Sequence, residues 1–352
     1  MSLVERLADN PGPFAIYGAQ VVAYGAYRAI LELCGRKPEC FAVSQMEGNP
    51  AEIEGIPVRT SEALAQDWLV IVGVTELVQG EIVSSLKVQG FKKIFVLTQH
   101  EEHGLMSACF ERIGRFPLAE EIVHGQDLTS DIVLYEVRNH RDKPLQTRPA
   151  LREFERSIQA GAALSERRVA LLTDDTGVNI SAKNRQYCEM SATYWIWKNT
   201  HHAWTGIEHY RRHLLVTPEM LDGVVDAVLP LPYLCYPNTM AQFRRFVSED
   251  VRQVLLQALK TLHPLEYSRY EEILYGPYQY TYNILCVRRA VFEDYCQWFF
   301  EITEHMETLS DKVPEIRETR ALSYAAEVLT NLYFMYNQGR WNIRHTGKEI
   351  YV

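Results

Sequence analysis

No run in this 352-residue chain approaches the roughly 20 apolar residues that a membrane-spanning helix needs. The first ten residues, Met1 to Asn10, hold no apolar core of the kind that drives secretion. Both absences lead us to expect a cytoplasmic protein, with contact at the inner face of a membrane left open. Paired-cysteine motifs are missing too. The seven cysteines are scattered, and Cys34, Cys188, Cys286 and Cys296 fall inside apolar patterns, so reduced, buried thiols are expected. Positive charge is short: 36 Lys and Arg stand against 45 Asp and Glu, a net charge of -9. Nucleic-acid binding draws most of its affinity from basic surface, and no nucleic-acid partner is expected. The chain has no Walker loop, no H-E-x-x-H and no G-x-S-x-G. Kinase, metalloprotease and hydrolase readings lose their usual support. There are no internal repeats and no low-complexity stretch.

What is present fits two α/β domains, drawn at residues 1–128 and 129–352. Phe14-Ala-Ile-Tyr17 reads as a strand, Gly18 as a turn, and the pattern from Val21 to Cys34 as a helix. That is the opening of a Rossmann-like unit. Further strands are expected at Cys40 to Val43, Leu69 to Val74 and Lys93 to Leu97, with helices at Ser61 to Ala65 and Glu81 to Gln89. The glycine fingerprint of dinucleotide binding is incomplete, because Gln20 stands where its second glycine belongs. A structural or regulatory module is the larger expectation for this domain.

The second domain opens with a strand at Ile132 to Val137 and the polar segment Asn139-His140-Arg141-Asp142. A helix is expected from Pro149 to Leu164, a strand from Val169 to Thr173, and a long helix from Lys183 to Lys198 capped by Ser181. Strands follow at Ala203 to Ile207 and Asp226 to Leu229. Helices are expected at Ala241 to Thr261, Arg289 to Leu309 and Arg320 to Tyr336.

Five groups could carry chemistry. Glu208-His209-Tyr210-Arg211-Arg212-His213 follows a strand, where open α/β sheets place ligands. Two arginines and two histidines there suggest an anion site, since arginine grips phosphate through a two-pronged fork. The alternative is a surface ion-pair cluster. Asp174, Asp175, Asn179 and Asn184 suit ribose hydroxyls or a base edge, and equally suit a turn with a helix cap. Glu189 lies on an aromatic helical face and must be paired or functional, with Arg211 or Arg212 as partners. Tyr278 to Asn283 offers rings and an amide for sugar hydroxyls, or simply a sheet edge. Arg320 and Glu327, seven apart, share a helix face as base and partner or as a salt bridge.

At these residues the chain resembles a family of bacterial glycosyltransferases of capsular polysaccharide, exopolysaccharide and O-antigen assembly, long catalogued as a domain of unknown function. The residues that carry it are Asp174/Asp175, Gly177, Asn179-Ile180-Ser181 and Asn184, then Tyr187-Cys188-Glu189 and Tyr194-Trp195-Ile196-Trp197-Lys198-Asn199, then Gly206-Ile207-Glu208-His209-Tyr210-Arg211-Arg212. His140, Gln159 to Leu164, Asn283, Tyr295 to Phe299, Arg320 and Glu327 extend it over about residues 131 to 352. Met190-Ser191 departs mildly from the family's Leu-Thr.

The resemblance implies a GT-A-like α/β domain with a helical C-terminal part behind the Rossmann-like one. It implies transfer of a hexose from a nucleoside diphosphate sugar such as UDP-hexose to a saccharide or lipid-linked saccharide. His140, Asp174, Asp175, Asn179, Asn184, Glu189, Lys198, His209 and Asn283 would bind the donor. Arg211 and Arg212 would stabilise the leaving diphosphate, and Glu327 or Asp226 would deprotonate the acceptor. Such enzymes usually hold Mn²⁺ or Mg²⁺ with Asp-x-Asp, which is missing here. Either Glu208 and His209 ligate the ion, or the arginines replace it. Two other readings stand beside this one: a non-catalytic nucleotide-sugar or polysaccharide-binding regulator, and a nicotinamide-dependent enzyme using the first domain.

Overall fold

The computed structural model describes residues 2–119, 131–147, 150–221, 223–309 and 311–352. It divides into two compact units, residues 1–117 with 233–236 and 352, and residues 118–232 with 237–351. The boundary drawn at 128/129, and the start of the helix expected at Pro149, lie outside the described residues.

The first unit runs α1 (Leu3–Asp9), β1 (Phe14–Tyr17), α2 (Val21–Cys34), β2 (Cys40–Val43), β3 (Glu52–Ile53), β4 (Ile56–Thr60), β5 (Leu69–Val72), α3 (Glu76–Val88), β6 (Ile94–Val96) and α4 (Gln99–Arg112). Its sheet has the order β3-β4-β2-β1-β5-β6. All its pairs are parallel except β3 with β4. Strands β1, β2 and β5 are buried along their whole length, which is why they read as unbroken apolar runs rather than alternating ones. Gly18 turns β1 into α2 at φ 125°, and a Cβ there would lie 2.5 Å from the Gly73 carbonyl oxygen. Only glycine fits so close an approach of two β-α turns.

The second unit continues with β7 (Ile132–Arg138), β8 (Glu155–Gln159), β9 (Leu172–Thr173), α5 (Asn184–Tyr187), α6 (Met190–Asn199), β10 (Trp204–His209), β11 (Arg212–Leu214) and β12 (Ala227–Pro230). After β13 (Tyr233–Leu234), which belongs with the first unit, come α7 (Thr239–Phe243), α8 (Glu249–Leu262), α9 (Tyr267–Leu274), β14 (Tyr278–Gln279) and β15 (Leu285–Arg288). Helices α10 (Arg289–Thr308), α11 (Glu315–Glu318) and α12 (Ala321–Tyr336) precede β16 (Ile343–Thr346) and β17 (Lys348–Ile350). The mixed sheet has the order β16-β12-β15-β10-β7-β8-β9, and a short hairpin strand, β11, pairs β10 and β17. One sheet face packs Ile132, Leu134, Trp204, Leu214, Val228 and Cys286 into a core. The fold is α/β throughout, as expected.

The helix expected at Ser61 to Ala65 is a single 3-10 turn, Ser61–Ala63, the strand expected at Val169 to Thr173 begins only at Leu172, and three further elements differ more. Residues 150–161 are not helical, and only Ala162–Leu164 form a short 3-10 turn. Glu155–Gln159 is a strand paired in parallel with β7, with Glu136 opposite Ser157. Apolar residues at 151, 154 and 158 mimic helical spacing, and the sheet edge offered by β7 overrides it. The helix expected from Lys183 to Lys198 breaks at Cys188, which sits at φ 47°. The Asn184 side chain donates to the Cys188 carbonyl oxygen at 2.6 Å and takes the place of a helical donor. The helix expected from 241 to 261 is two, because Ser248 caps α8 by accepting from Val251 N.

Candidate active site

Strands β7 and β10 lie side by side in parallel, with Glu136 beside Glu208 and Val137 beside His209. Their carboxyl ends open together into a cleft of about 610 Å³. Arg138 to Asp142 reach it from β7, and His209 to Arg212 from the β10–β11 hairpin. The break between α5 and α6 supplies Cys188 and Glu189, the turn before β15 supplies Tyr282, and α12 supplies Arg320, Tyr324 and Glu327. Positions 320, 324 and 327 fall on one face of that helix.

The cleft is cationic in an acidic chain. Arg138, Arg141, Arg185, Arg211, Arg212 and Arg320 face Asp142, Glu189, Glu318 and Glu327, six guanidinium groups against four carboxyls. Buried side-chain nitrogens without a hydrogen-bond partner collect in its wall: Nε of Arg138, Arg211 and Arg212, Nδ1 of His140 and Nε2 of His209. Buried polar groups are almost always satisfied in folded proteins, so three guanidinium donors and two imidazole nitrogens on one cavity call for partners that arrive from outside. Arg212 also stands over the Tyr282 ring, 4.1 Å from its centroid.

The histidines are not part of that charge. Burial, together with Arg212 and Arg211, pushes His209 down to about 4, so it is neutral at pH 7. Burial likewise lowers His140. Glu327 moves the other way. Burial first, then the nearby Glu189 carboxylate, push it up to about 7 against the pull of Arg212. Burial also carries Asp142 up to about 6.

Supporting contacts fix these groups. Glu189 accepts from Asn283 Nδ2 at 2.8 Å, and Asn283 accepts from Thr330 Oγ1 at 2.7 Å. Tyr282 and Asn283 both adopt left-handed backbone, at φ 69° and 52°. That conformation is costly for side chains other than Gly, Asn or Asp. It turns Tyr282 to the cleft and Asn283 inward. Arg320 donates from Nε to Cys188 Sγ at 3.1 Å. Gly161, at φ 69°, lies so near Asn184 that a Cβ would overlap its side chain. Asn184 in turn accepts from Asn139 Nδ2 at 3.2 Å and holds the loop after β7.

The structure brings together His140, Asn184, Glu189, His209, Arg211, Arg212 and Glu327 from the residues expected at the site. It places the others elsewhere. Asp174 is fully buried and accepts from Gly161 N at 2.8 Å, Ala162 N at 3.0 Å, Ser181 Oγ and Ser191 Oγ, so no oxygen is left for a ribose. Asp175 pairs with Arg168 at 3.2 Å. Asn179 closes its own turn through Thr176 and Gly177. Lys198 lies 3.2 Å from the Trp197 ring centroid, outside the cleft. Asp226 accepts from Asn342 N at 2.9 Å and faces Arg288 at 3.6 Å, far from a role as base. Asn283 is buried and spent on Glu189 rather than open to sugar.

Glu208 and His209 do not fit one metal ion. Adjacent residues of a strand point to opposite faces. Glu208 shares a face with Glu136, while His209 lies on the cleft side. Among the described residues, the metal-ligating groups that converge are Glu155, Glu208 and His213, on the face away from His209. Arg138, Arg141, Asp142 and Tyr324 line the cleft without having been singled out, and Tyr282 joins them from the Tyr278 to Asn283 segment. Arg138 to Asp142 carried a readable signal, a polar basic run directly after an apolar strand.

The fold and cleft define an α/β protein with a cationic cleft at the carboxyl ends of adjacent parallel strands. A family model described as "Domain of unknown function (DUF4422)" matches residues 137–338, and the chain belongs to that family. The chain is similar to the apo structure of the WbbM bifunctional glycosyltransferase, with a TM-score of 0.55 and 22% identity over 63% of this chain. The match spans 45% of the WbbM chain, less than half its length. No curated protein matches the sequence. Among the described residues, no helix is long and apolar enough to cross a membrane.

Proposed function

We propose that the chain is a glycosyltransferase that moves a hexose from a nucleoside diphosphate sugar, such as UDP-hexose, to a saccharide or lipid-linked saccharide acceptor of surface-polysaccharide assembly. It would act in the cytoplasm, at the inner membrane face where the acceptor is lipid-linked. The observation that carries the reading is the set of five buried nitrogens without partners in one cationic cleft. A diphosphate supplies oxygens and negative charge in the amounts that set lacks. The fold shared with a structure of a glycosyltransferase supports it.

In this reading Arg138, Arg211 and Arg212 seat the diphosphate. The acceptor hydroxyl oxygen attacks the anomeric carbon, and the carbon–oxygen bond to phosphate breaks. The electron pair leaves on the diphosphate, where Arg211 and Arg212 meet the growing charge. The hydroxyl proton passes to Glu327, whose carboxyl, raised to about 7, is matched to taking a proton near neutral pH. The guanidinium groups neutralise the leaving group, so added Mn²⁺ or Mg²⁺ is not expected to raise turnover.

The test is donor hydrolysis. Purified full-length chain is incubated with a panel of nucleotide sugars, with and without Mn²⁺, and free nucleoside diphosphate is measured. Slow release from at least one donor supports the reading. No release from any donor under either condition favours a binding protein without chemistry.

A further inference from the structure

The sheet face opposite His209 holds a second constellation that sugar transfer does not use. Glu136 on β7, Glu155 on β8, Glu208 on β10 and His213 on β11 converge there, all buried. His213 Nδ1 lies 3.4 Å from Glu208 Oε1 and 3.9 Å from Glu155 Oε1. Its Nε2 lies 3.9 Å from Glu136 Oε1. Three carboxyls crowded in the interior must gain a counter-charge or hold protons, because isolated buried charges are strongly disfavoured.

Among the described residues, the guanidinium that reaches these carboxyls, Arg152, is largely committed. Arg152 pairs with Glu155, donates to the Val216 and Leu214 carbonyl oxygens, and reaches Glu208 Oε2 only at 3.8 Å. Ser157 donates to Glu136, and Leu214 N donates to Glu208 Oε2 at 3.0 Å. That leaves Glu208 Oε1 and His213 Nε2 buried without a hydrogen bond, on residues 0% and 5% exposed. One ligand atom each from Glu155, Glu208 and His213 falls within 4.8 Å of the others.

We infer that Glu155, Glu208 and His213 form a buried structural site for a divalent transition-metal ion of the Zn²⁺ or Mn²⁺ class. Ligands around a tetrahedral zinc stand roughly 3.3–3.5 Å apart, given metal–ligand bonds of about 2.0–2.2 Å. The Glu208–His213 separation already meets that spacing, and the wider Glu155–His213 pair closes with a small side-chain shift. One imidazole with two carboxylates suits a borderline ion better than Mg²⁺ or Ca²⁺, which favour all-oxygen sets. The ion would cancel the charge that Arg152 leaves over. It would also tie β8, β10 and β11 together on the underside of the hairpin that presents Arg211 and Arg212. This inference stands apart from the sugar-transfer reading.

The experiment uses tag-free, full-length chain stripped of metal, titrated with Zn²⁺ and with Mn²⁺ by equilibrium dialysis and metal analysis. The expected result is saturable binding of about one ion per chain and a raised Tm. Glu208→Gln and His213→Gln should weaken binding at least 10-fold, while His209→Gln, on the other face, should keep it. Cobalt provides a measurement that needs no variant. Wild-type chain loaded with Co²⁺ should show a visible ligand-field band from a low-coordinate nitrogen–oxygen site, and Zn²⁺ should displace it. No saturable binding of any of the three ions overturns the inference. So does binding that His209→Gln removes and Glu208→Gln leaves intact.

Discussion

Replacing Glu327 with glutamine should separate stability from turnover in opposite directions. Burial and Glu189 lift this carboxyl from 4.5 to about 7. The native state therefore keeps a proton through a pH range in which the unfolded chain has lost it. The stability this proton contributes is complete below about 4.5, drains as pH rises, and is gone above about 7. Each pH unit across that window is worth about 1.4 kcal/mol, so the ceiling is roughly 3 kcal/mol. Solvent relaxation around a cleft residue trims it, and we expect about 1–3 kcal/mol. Glutamine cannot ionise. Glu327→Gln should match the parent at pH 4.5 and exceed it by that amount at pH 8.5, measured by urea unfolding at both values. Turnover of the same variant should fall about 10²–10⁴-fold, the usual worth of a general base. In the parent, turnover should rise with pH through about 7. Equal stability of the two proteins at both pH values would refute the burial argument, and undiminished turnover would refute the role of base.

Other expectations follow from the placement of single residues. Asp174→Ala strands four buried donors and should lower stability by roughly 3–5 kcal/mol in urea unfolding; a fully stable variant with weakened donor binding would restore Asp174 to the site. Lys198→Ala removes ring contacts with Trp197 and Tyr194 outside the cleft, and its turnover should stay within about twofold of the parent. Asn283→Ala frees Glu189 from its amide partner and should slow turnover while leaving nucleoside diphosphate affinity nearly unchanged, read from separate kcat and binding measurements.

The reach of the sequence is uneven, for physical reasons. Buried parallel strands such as Phe14–Tyr17 and Leu69–Val72 are written as apolar runs, and they were legible. So was the cationic cleft, written as a basic run directly after a strand end. The strand Glu155–Gln159 was not legible, because the apolar spacing around it fits a helix while its partner on β7 lies about 20 residues earlier in the chain. Glu189 was read as needing a partner, but Asn283 lies 94 positions away and only the turn at Tyr282 brings it near. Asp174 looked like a free acid in a turn because its four donors come from separate segments. Glu208 and His209 are adjacent in sequence, but their side chains are not adjacent in space. Strand alternation assigns one to the anion cleft and the other to the acidic pocket beneath it.

The central claim is that the cleft at the ends of β7 and β10 seats a nucleoside diphosphate on Arg211 and Arg212. Calorimetric titration of the full chain with UDP and other nucleoside diphosphates tests it most directly, run beside a chain carrying Arg211→Ala and Arg212→Ala. We predict saturable binding by the parent and at least a 100-fold loss in the double variant, whose folding is checked by circular dichroism. Equal affinity in the two proteins, or no binding of any nucleoside diphosphate by the parent, would contradict it.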